Sequence, residues 1–153
     1  MIRGIIYDFV RTLYDPEKGQ LFDGVLAMLN SFRDLGLKQG LVSFGGEEKE
    51  KLIQSLGLGG IMDWYRVVEE KTPEVFRSFG EHFNLPAGQV LVVGDLVNEE
   101  VAVGRRLGMA TVWLKAGKFS EAAAGAAPDF TIAAINDLEP IVTDLAQFRR
   151  DRD

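Results

Sequence analysis

Two aspartates in this sequence each follow a short run of β-branched and other apolar residues. Asp8 ends the run IIYD, and Asp95 follows the run VLVVG. Such runs predict buried strands of a parallel sheet, and open α/β sheets bind their ligands at the carboxyl ends of these strands. The sequence therefore predicts two carboxylates close together at one sheet edge, where they could hold a divalent cation.

Further polar side chains fall at the same predicted edge. Ser43 ends the strand GLVSF, and Lys71 precedes a helix that begins TPEVF. A lysine, a hydroxyl and the backbone N–H groups of Phe44 and Gly45 suit a phosphoryl group, while carboxylate oxygens suit Mg²⁺. We therefore expect divalent-metal and phosphate chemistry from the residues that this edge brings together, which are Asp8, Val10, Thr12, Ser43, Lys71, Asp95, Asn98, Glu99 and Glu100.

The elements that must position these residues alternate between strand and helix. Apolar runs predict strands over residues 3–9, 38–44, 65–68, 89–93, 110–114 and 130–132, and helical spacing predicts helices over 21–35, 47–56, 73–83, 98–107 and 138–148. Thr72 suits a helix N-cap and Pro73 the first helical position. This alternation predicts an α/β fold, a three-layer Rossmann-like sandwich whose mostly parallel central sheet carries helices on both faces.

Composition limits what the chain does. Its 153 residues fit one domain, which we expect over residues 1–148, with a charged tail at 149–153 and an alanine-rich loop at 120–128. The net charge of −6 argues against binding to nucleic acid or anionic membranes. No cysteine and a single histidine, His82, exclude thiolate chemistry and multi-histidine metal clusters. With no predicted bilayer span or signal peptide, we expect a cytoplasmic protein.

The order of these motifs resembles the haloacid dehalogenase-like hydrolase superfamily. The first family motif, Asp-x-Asp-x-Thr-Leu, corresponds to DFVRTL at residues 8–13. The second, a hydroxyl residue after a strand, corresponds to Ser43, and the third, a lysine close to a proline, to Lys71. The fourth, Gly-Asp with an acidic residue four or five positions on, corresponds to Gly94-Asp95 with Glu99 or Glu100. The resemblance covers residues 1–115 and implies an Mg²⁺-dependent phosphatase-type hydrolase.

The resemblance also implies a role for each matching position. Asp8 would be the nucleophile that forms an aspartyl-phosphate, and also a metal ligand. Ser43 would hydrogen-bond a phosphoryl oxygen, and Lys71 would offset negative charge there. The Mg²⁺ ion would be held by Asp8, the backbone carbonyl of Val10 and Asp95, with Glu99 or Glu100 as outer support. Phosphate contacts are expected from Ser43, Phe44, Gly45, Lys71, Arg11 and Thr12.

Val10 is the main departure from the family pattern. In family phosphatases the second aspartate of the first motif protonates the leaving oxygen and later activates water, and valine can do neither. General acid–base help is typically worth ~10²–10⁴-fold in rate. We therefore expect low turnover of alkyl phosphates, with acyl and aryl phosphates affected least.

Family branches that lack this aspartate rely on a cap domain. Only about 34 residues separate Asp8 from Ser43, and the segment from Ser43 to Lys71 is equally short, so we expect no cap. An uncapped site would admit a small phosphorylated substrate or a macromolecular phosphate, or be covered by a second subunit in a homodimer.

Several alternatives stay open from the sequence. The chain could be a catalytically impaired binding or regulatory domain on the same fold, or a dehalogenase-like hydrolase in which Asp8 attacks carbon. Arg11 either reaches toward an anionic substrate or is merely exposed, and Lys71 could be a solvated charge beside Glu69 and Glu70. His82 is expected to be structural or exposed rather than part of the chemistry.

Overall fold

A parallel sheet forms the centre of the molecule. The computed structural model describes residues 1–115 and 127–147. Within them, six strands run in the order β5-β4-β1-β6-β7-β8, and every neighbouring pair is parallel. The strands are β1 (Gly4–Asp8), β4 (Lys38–Phe44), β5 (Trp64–Val68), β6 (Val90–Gly94), β7 (Ala110–Leu114) and β8 (Phe130–Ile132). The predicted sheet is confirmed, and β4, β7 and β8 have the predicted bounds.

Helices cover both faces of this sheet, as a three-layer sandwich requires. The helices are α1 (Val25–Asp34), α2 (Glu47–Ser55), α3 (Pro73–Phe83), α4 (Ala102–Leu107) and α5 (Leu138–Gln147). Alternate residues of β1 point to opposite faces: Ile5 packs in the cluster that contains α1, α2 and α5 residues, and Ile6 packs in the cluster with α3. Burial on both faces explains why the central strands are apolar throughout.

The segment after β1 differs from the prediction. A helix over 21–35 was expected, but a two-stranded hairpin, β2 (Tyr14–Asp15) with β3 (Gln20–Leu21), comes first, and α1 begins only at Val25. Two local features delay the helix. The Phe22 N–H donates to the Leu13 carbonyl at 2.9 Å, and Gly24 has a φ of 81°, outside the helical region.

Helix α3 begins as its sequence predicts. Thr72 is extended, its hydroxyl accepts a hydrogen bond from the Val75 N–H at 3.4 Å, and Pro73 occupies the first turn. Asn84 ends the helix in the left-handed conformation. This start places Lys71 immediately before the helix, at the carboxyl edge of the sheet.

The segment after β6 also differs from the prediction. A regular helix over 98–107 was expected, but Val97–Val101 forms a π-helical turn, and α4 begins only at Ala102. The wider turn changes which side chains of this segment face the sheet edge. Turns of this kind are frequent at functional sites.

Some predictions lie wholly or partly outside the described residues. These concern the loop at 120–128, of which 127–128 are described, the end of the last helix at Phe148, and the tail at 149–153. Between β1 and β4 the structure contains only the β2–β3 hairpin and α1, while the absence of a cap and the single domain over 1–148 stay predictions. Among the described helices, none has the length and apolar character needed to cross a bilayer.

Candidate active site

Four ionisable side chains meet at the carboxyl edge of the sheet, and all four are buried. Asp8 ends β1, Asp95 follows β6 directly, Lys71 precedes α3, and Glu100 lies in the π-helical turn. Because β1 and β6 are neighbours, the two aspartates reach the same place, as their positions in the sequence predicted. Burial of four charges is unusual in a small domain and requires that they satisfy one another.

Lys71 joins two of the carboxylates. Its Nζ donates to Asp8 Oδ1 and to Glu100 Oε1, the latter at 2.6 Å. Its side chain is 3% exposed, so it is not the solvated charge that the sequence left open. Burial opposes the charge on Lys71, but the charges of Asp8 and Glu100 outweigh burial and raise its pKa above the ordinary value.

The carboxylates outnumber the cation that faces them. One oxygen from each of Asp8, Asp95 and Glu100 lies within 4.8 Å of the others. Burial, then hydrogen bonding to Asp8 and its charge, raise the pKa of Asp95 to about 7. Burial and the charge of Asp8 likewise raise the pKa of Glu100 to about 8, against the opposing effect of Lys71. This excess of negative charge is what a divalent cation would neutralise.

Two further observations show that the donor set fits a hard cation such as Mg²⁺. The Oε2 atoms of Glu99 and Glu100 are buried without a hydrogen-bond partner, which is costly for carboxylate oxygens. All of the acidic donors are oxygens, and no histidine or cysteine belongs to the group. Asp8, Asp95 and Glu100 are thus the residues that could hold the ion.

The structure places Glu100, rather than Glu99, in the carboxylate cluster. Glu100 is fully buried and contacts Lys71, whereas Glu99 is half-buried and lies outside the group. Gly94 makes this position possible. A Cβ atom added at Gly94 would lie 2.5 Å from Glu100 Oε2 and 2.7 Å from Glu100 Cβ, so a side chain there would displace Glu100.

Two residues predicted as phosphate contacts, Thr12 and Gly45, direct their donors to other groups of the protein. Thr12 is fully buried, and its hydroxyl donates to Asp8 Oδ2 at 3.2 Å, which orients Asp8. The Gly45 N–H donates to the Val68 carbonyl at 3.1 Å and is therefore committed to the sheet. The motif indicated that both residues lie near the site. The direction of their hydrogen-bond donors depends on the local turn geometry, which the motif does not determine.

Ser43 and Phe44 lie where the sequence placed them, at the carboxyl end of β4. The Ser43 hydroxyl is buried and donates to the Phe44 carbonyl at 3.0 Å. Phe44 is 39% exposed, and its ring centre lies 4.6 Å from Lys71 Nζ. The sequence pointed only to the backbone of Phe44 and not to this ring, because a single phenylalanine beside a sheet is usually core.

Val10 and Arg11 follow Asp8 in the turn that leads to the hairpin. Val10 is half-buried against the core and forms a bridge with Tyr14. Arg11 has a φ of 65°, unusual for a residue other than glycine, and its N–H donates to the Tyr14 carbonyl at 2.8 Å. The Arg11 side chain lines a cavity of about 400 Å³ together with Phe22, Leu114 and neighbouring residues. It therefore borders an open cavity.

His82 is exposed on α3 and takes part in none of these contacts. Its ring stacks on Trp64, with ring centres 4.4 Å apart and planes 9° from parallel. This is a packing role, as expected from the sequence.

Comparison with known proteins agrees with this geometry. A family model described as HAD-hydrolase-like matches residues 71–138. A glyceraldehyde 3-phosphate phosphatase of Pyrococcus abyssi is 30% identical over 101 residues, which cover 62% of this chain and 42% of the relative. The chain spans about half the length of the curated relatives it matches.

Solved structures share the fold at lower identity. A HAD phosphatase from Thermococcus onnurineus superposes with a TM-score of 0.70 at 22% identity, covering 80% of this chain and 58% of that one. The L-2-haloacid dehalogenase RSc1362 superposes with a TM-score of 0.77 at 18% identity, covering 93% of this chain and 99% of that one.

The fold and the site define an α/β domain with an acidic, lysine-containing centre at the carboxyl edge of a parallel sheet. The matching family model and the curated relatives show that this chain is similar to haloacid dehalogenase-like hydrolases, and the solved structures share its fold.

Proposed function

We propose that this protein is an Mg²⁺-dependent phosphohydrolase in which Asp8 is the nucleophile. The observation that supports this most is the position of Asp8, which bonds Lys71 through one oxygen and Thr12 through the other while Asp95 and Glu100 lie within 4.8 Å. A nucleophilic carboxylate must be held in one orientation and still carry charge, and this arrangement provides both conditions.

The side chains at the edge have distinct proposed roles. Asp8, Asp95 and the backbone carbonyl of Val10 would hold Mg²⁺, with Glu100 supporting the ion and Lys71. The ion supplies positive charge to the phosphoryl oxygens when bound. Lys71 adds a second positive charge beside Asp8, and Ser43 would turn its hydroxyl from the Phe44 carbonyl toward a phosphoryl oxygen.

The proposed reaction has two displacements at phosphorus. In the first, an oxygen of Asp8 bonds to phosphorus, and the bond to the leaving oxygen breaks with its electron pair. In the second, a water oxygen bonds to phosphorus, the bond to Asp8 breaks, and phosphate and a proton are released. Each step conserves charge and atoms, and the second step regenerates the Asp8 carboxylate.

Val10 restricts the leaving group. Because valine cannot donate a proton, the leaving oxygen must depart as an anion or take its proton from water. A phenol has a pKa of about 10, as tyrosine does, so a phenolate leaves far more readily than an alkoxide. Aryl and acyl phosphates are therefore the proposed substrate classes. The curated relatives are named glyceraldehyde 3-phosphate phosphatases, so this alkyl phosphate is the one to compare with the aryl and acyl phosphates. We expect it to react slowly.

The test is phosphate release from phenyl phosphate and acetyl phosphate, with Mg²⁺ and with a chelator. We expect metal-dependent release that Asp8→Asn abolishes while the circular dichroism spectrum is unchanged. Release that persists in folded Asp8→Asn would contradict the proposed nucleophile.

One observation favours a second candidate, a binding or regulatory domain that does not turn over. That observation is Val10, since the site retains its charged residues but lacks the acid–base group. Saturable Mg²⁺ and phosphate binding without release from any substrate would support it. Halide release from a 2-haloacid would instead favour the dehalogenase alternative.

A further inference from the structure

We propose that the Phe44 ring contacts the leaving group and selects phosphoesters whose leaving group is aromatic. This inference rests on the proposed function and specifies its substrate class. Phe44 is the last residue of β4, and its ring lies 4.6 Å from Lys71 Nζ, which itself bonds Asp8. One lysine atom thus contacts both the proposed nucleophile and the ring.

Position, rather than exposure alone, supports this role. Two large apolar side chains are notably exposed in the described part of the chain, Leu26 at 44% and Phe44 at 39%. Isolated exposed apolar residues are common and need no explanation. Leu26 lies on α1, whereas the ring of Phe44 has Lys71 of the charged cluster beside it at the carboxyl edge.

The surroundings of Phe44 leave part of its ring available. Gly45 and Gly46 follow it without side chains, and a Cβ atom added at Gly46 would meet nothing within 4 Å. Lys71 occupies one side of the ring, while more than a third of the residue faces solvent. An aromatic leaving group could therefore pack against the ring by offset stacking or an edge contact.

The requirement set by Val10 points to the same substrates. Without an acid, a leaving oxygen that forms a stable anion departs most readily, and an aryl oxygen forms one. The same aryl group offers a planar apolar surface to Phe44. Two independent features of the chain, the residue missing at position 10 and the ring present at position 44, thus favour one leaving-group class.

The experiment compares phenyl phosphate with acetyl phosphate in wild type, Phe44→Leu and Phe44→Tyr. Leucine keeps apolar bulk without the ring, and tyrosine keeps the ring. We expect Phe44→Leu to lower kcat/KM for phenyl phosphate about three- to tenfold, mainly through KM, with less than about a twofold change for acetyl phosphate. Phe44→Tyr should retain both activities, and Leu26→Ala, the matched exposed control, should change neither.

Equal losses on both substrates would overturn the inference, because they would mean that Phe44 acts only through Lys71. No loss on either substrate would overturn it as well.

Inhibitor binding separates this inference from the proposed function. Phenylphosphonate should bind more tightly than methylphosphonate in the presence of Mg²⁺, and Phe44→Leu should reduce that preference. If wild type hydrolyses neither phosphate but shows this ring-dependent preference, the hydrolase proposal fails while the role of Phe44 stands. If both phosphonates bind equally, or neither binds, the role of Phe44 is overturned.

Discussion

At the scale of single residues, the site contains one lysine among three carboxylates. Lys71 is paired with Asp8 and Glu100, and Asp95 completes the group. Removing one member of a buried ion pair leaves an uncompensated charge and typically costs about 3–5 kcal/mol, whereas removing both members costs much less. The lysine is thus important for stability as well as for the proposed chemistry.

Replacing Lys71 tests this balance. Lys71→Gln should lower the free energy of unfolding of the metal-free protein by about 3 kcal/mol, because Asp8 and Glu100 lose their cation. Adding Glu100→Gln to that variant should restore part of the loss, since it removes one of the unpaired charges. Urea unfolding in the presence of a chelator measures both effects. A double variant less stable than Lys71→Gln would argue against charge imbalance as the cause.

Restoring the missing acid tests the role of Val10. Val10→Asp should raise kcat for glyceraldehyde 3-phosphate by about 10²-fold or more, the usual range for general acid–base help. Acetyl phosphate should change little, because its leaving group needs no proton. Val10→Asn, which has the same shape without the acid, is the control. A folded Val10→Asp variant with no gain would show that position 10 does not limit the rate.

The charged residues of the site are easier to predict from the sequence than the directions of their polar neighbours. Asp8, Asp95 and Lys71 were predicted from strand ends and a helix start, and the structure brings them together. Thr12 and Gly45 were predicted as phosphate contacts, but the turn geometry directs their donors to Asp8 and to Val68. Such directions depend on the dihedral angles of a few turn residues, which the side-chain pattern does not determine.

At the scale of elements, the π-helical turn after β6 determines which glutamate enters the site. The sequence left Glu99 and Glu100 as alternatives, because the fourth motif has its acidic residue either four or five positions after the aspartate. The wide turn buries Glu100 against Gly94, and the glycine provides the space. The β2–β3 hairpin was missed for a related reason, since the apolar spacing that predicts α1 extends into it. Hydrophobic spacing identified the core elements but not the turns between them.

Filling the space at Gly94 tests this arrangement. In Gly94→Ala the new methyl group would collide with Glu100, so we expect Mg²⁺ affinity to fall about 10- to 100-fold, as when outer-shell support is lost. Mg²⁺-dependent shifts in the unfolding midpoint measure the affinity. Gly88→Ala, where a Cβ atom meets nothing within 4 Å, is the matched control and should bind Mg²⁺ like wild type. Equal affinities in both variants would contradict the proposed role of Gly94.

At the scale of the whole molecule, the buried acids link folding to pH. The pKa of Asp95 is raised from 3.8 to about 7 and that of Glu100 from 4.5 to about 8. At a pH between the ordinary and the raised pKa of each acid, the folded chain holds a proton that the unfolded chain releases. The free energy of unfolding of the metal-free protein should therefore decrease as pH rises from about 4 to about 8.

Urea unfolding across this pH range, with a chelator or with Mg²⁺, measures the linkage. With Mg²⁺ present, the free energy of unfolding should fall less as pH rises, because the ion binds the ionised carboxylates and competes with protons. In the metal-free protein, Glu100→Gln should make the free energy of unfolding depend less on pH in the upper part of this range. Stability that rises with pH in the metal-free protein would contradict the assignment of raised pKa values to the buried acids.

The covalent state of Asp8 during turnover tests the proposed chemistry most directly. Wild-type protein would be mixed with acetyl phosphate and Mg²⁺, quenched rapidly in acid and digested, and the peptide masses measured, with Asp8→Asn treated identically. We predict that the peptide containing Asp8 gains the mass of one phosphoryl group in wild type only. Phosphate release by wild type with no label on Asp8 at any quench time, or a label on Asp8→Asn, would contradict the aspartyl-phosphate mechanism.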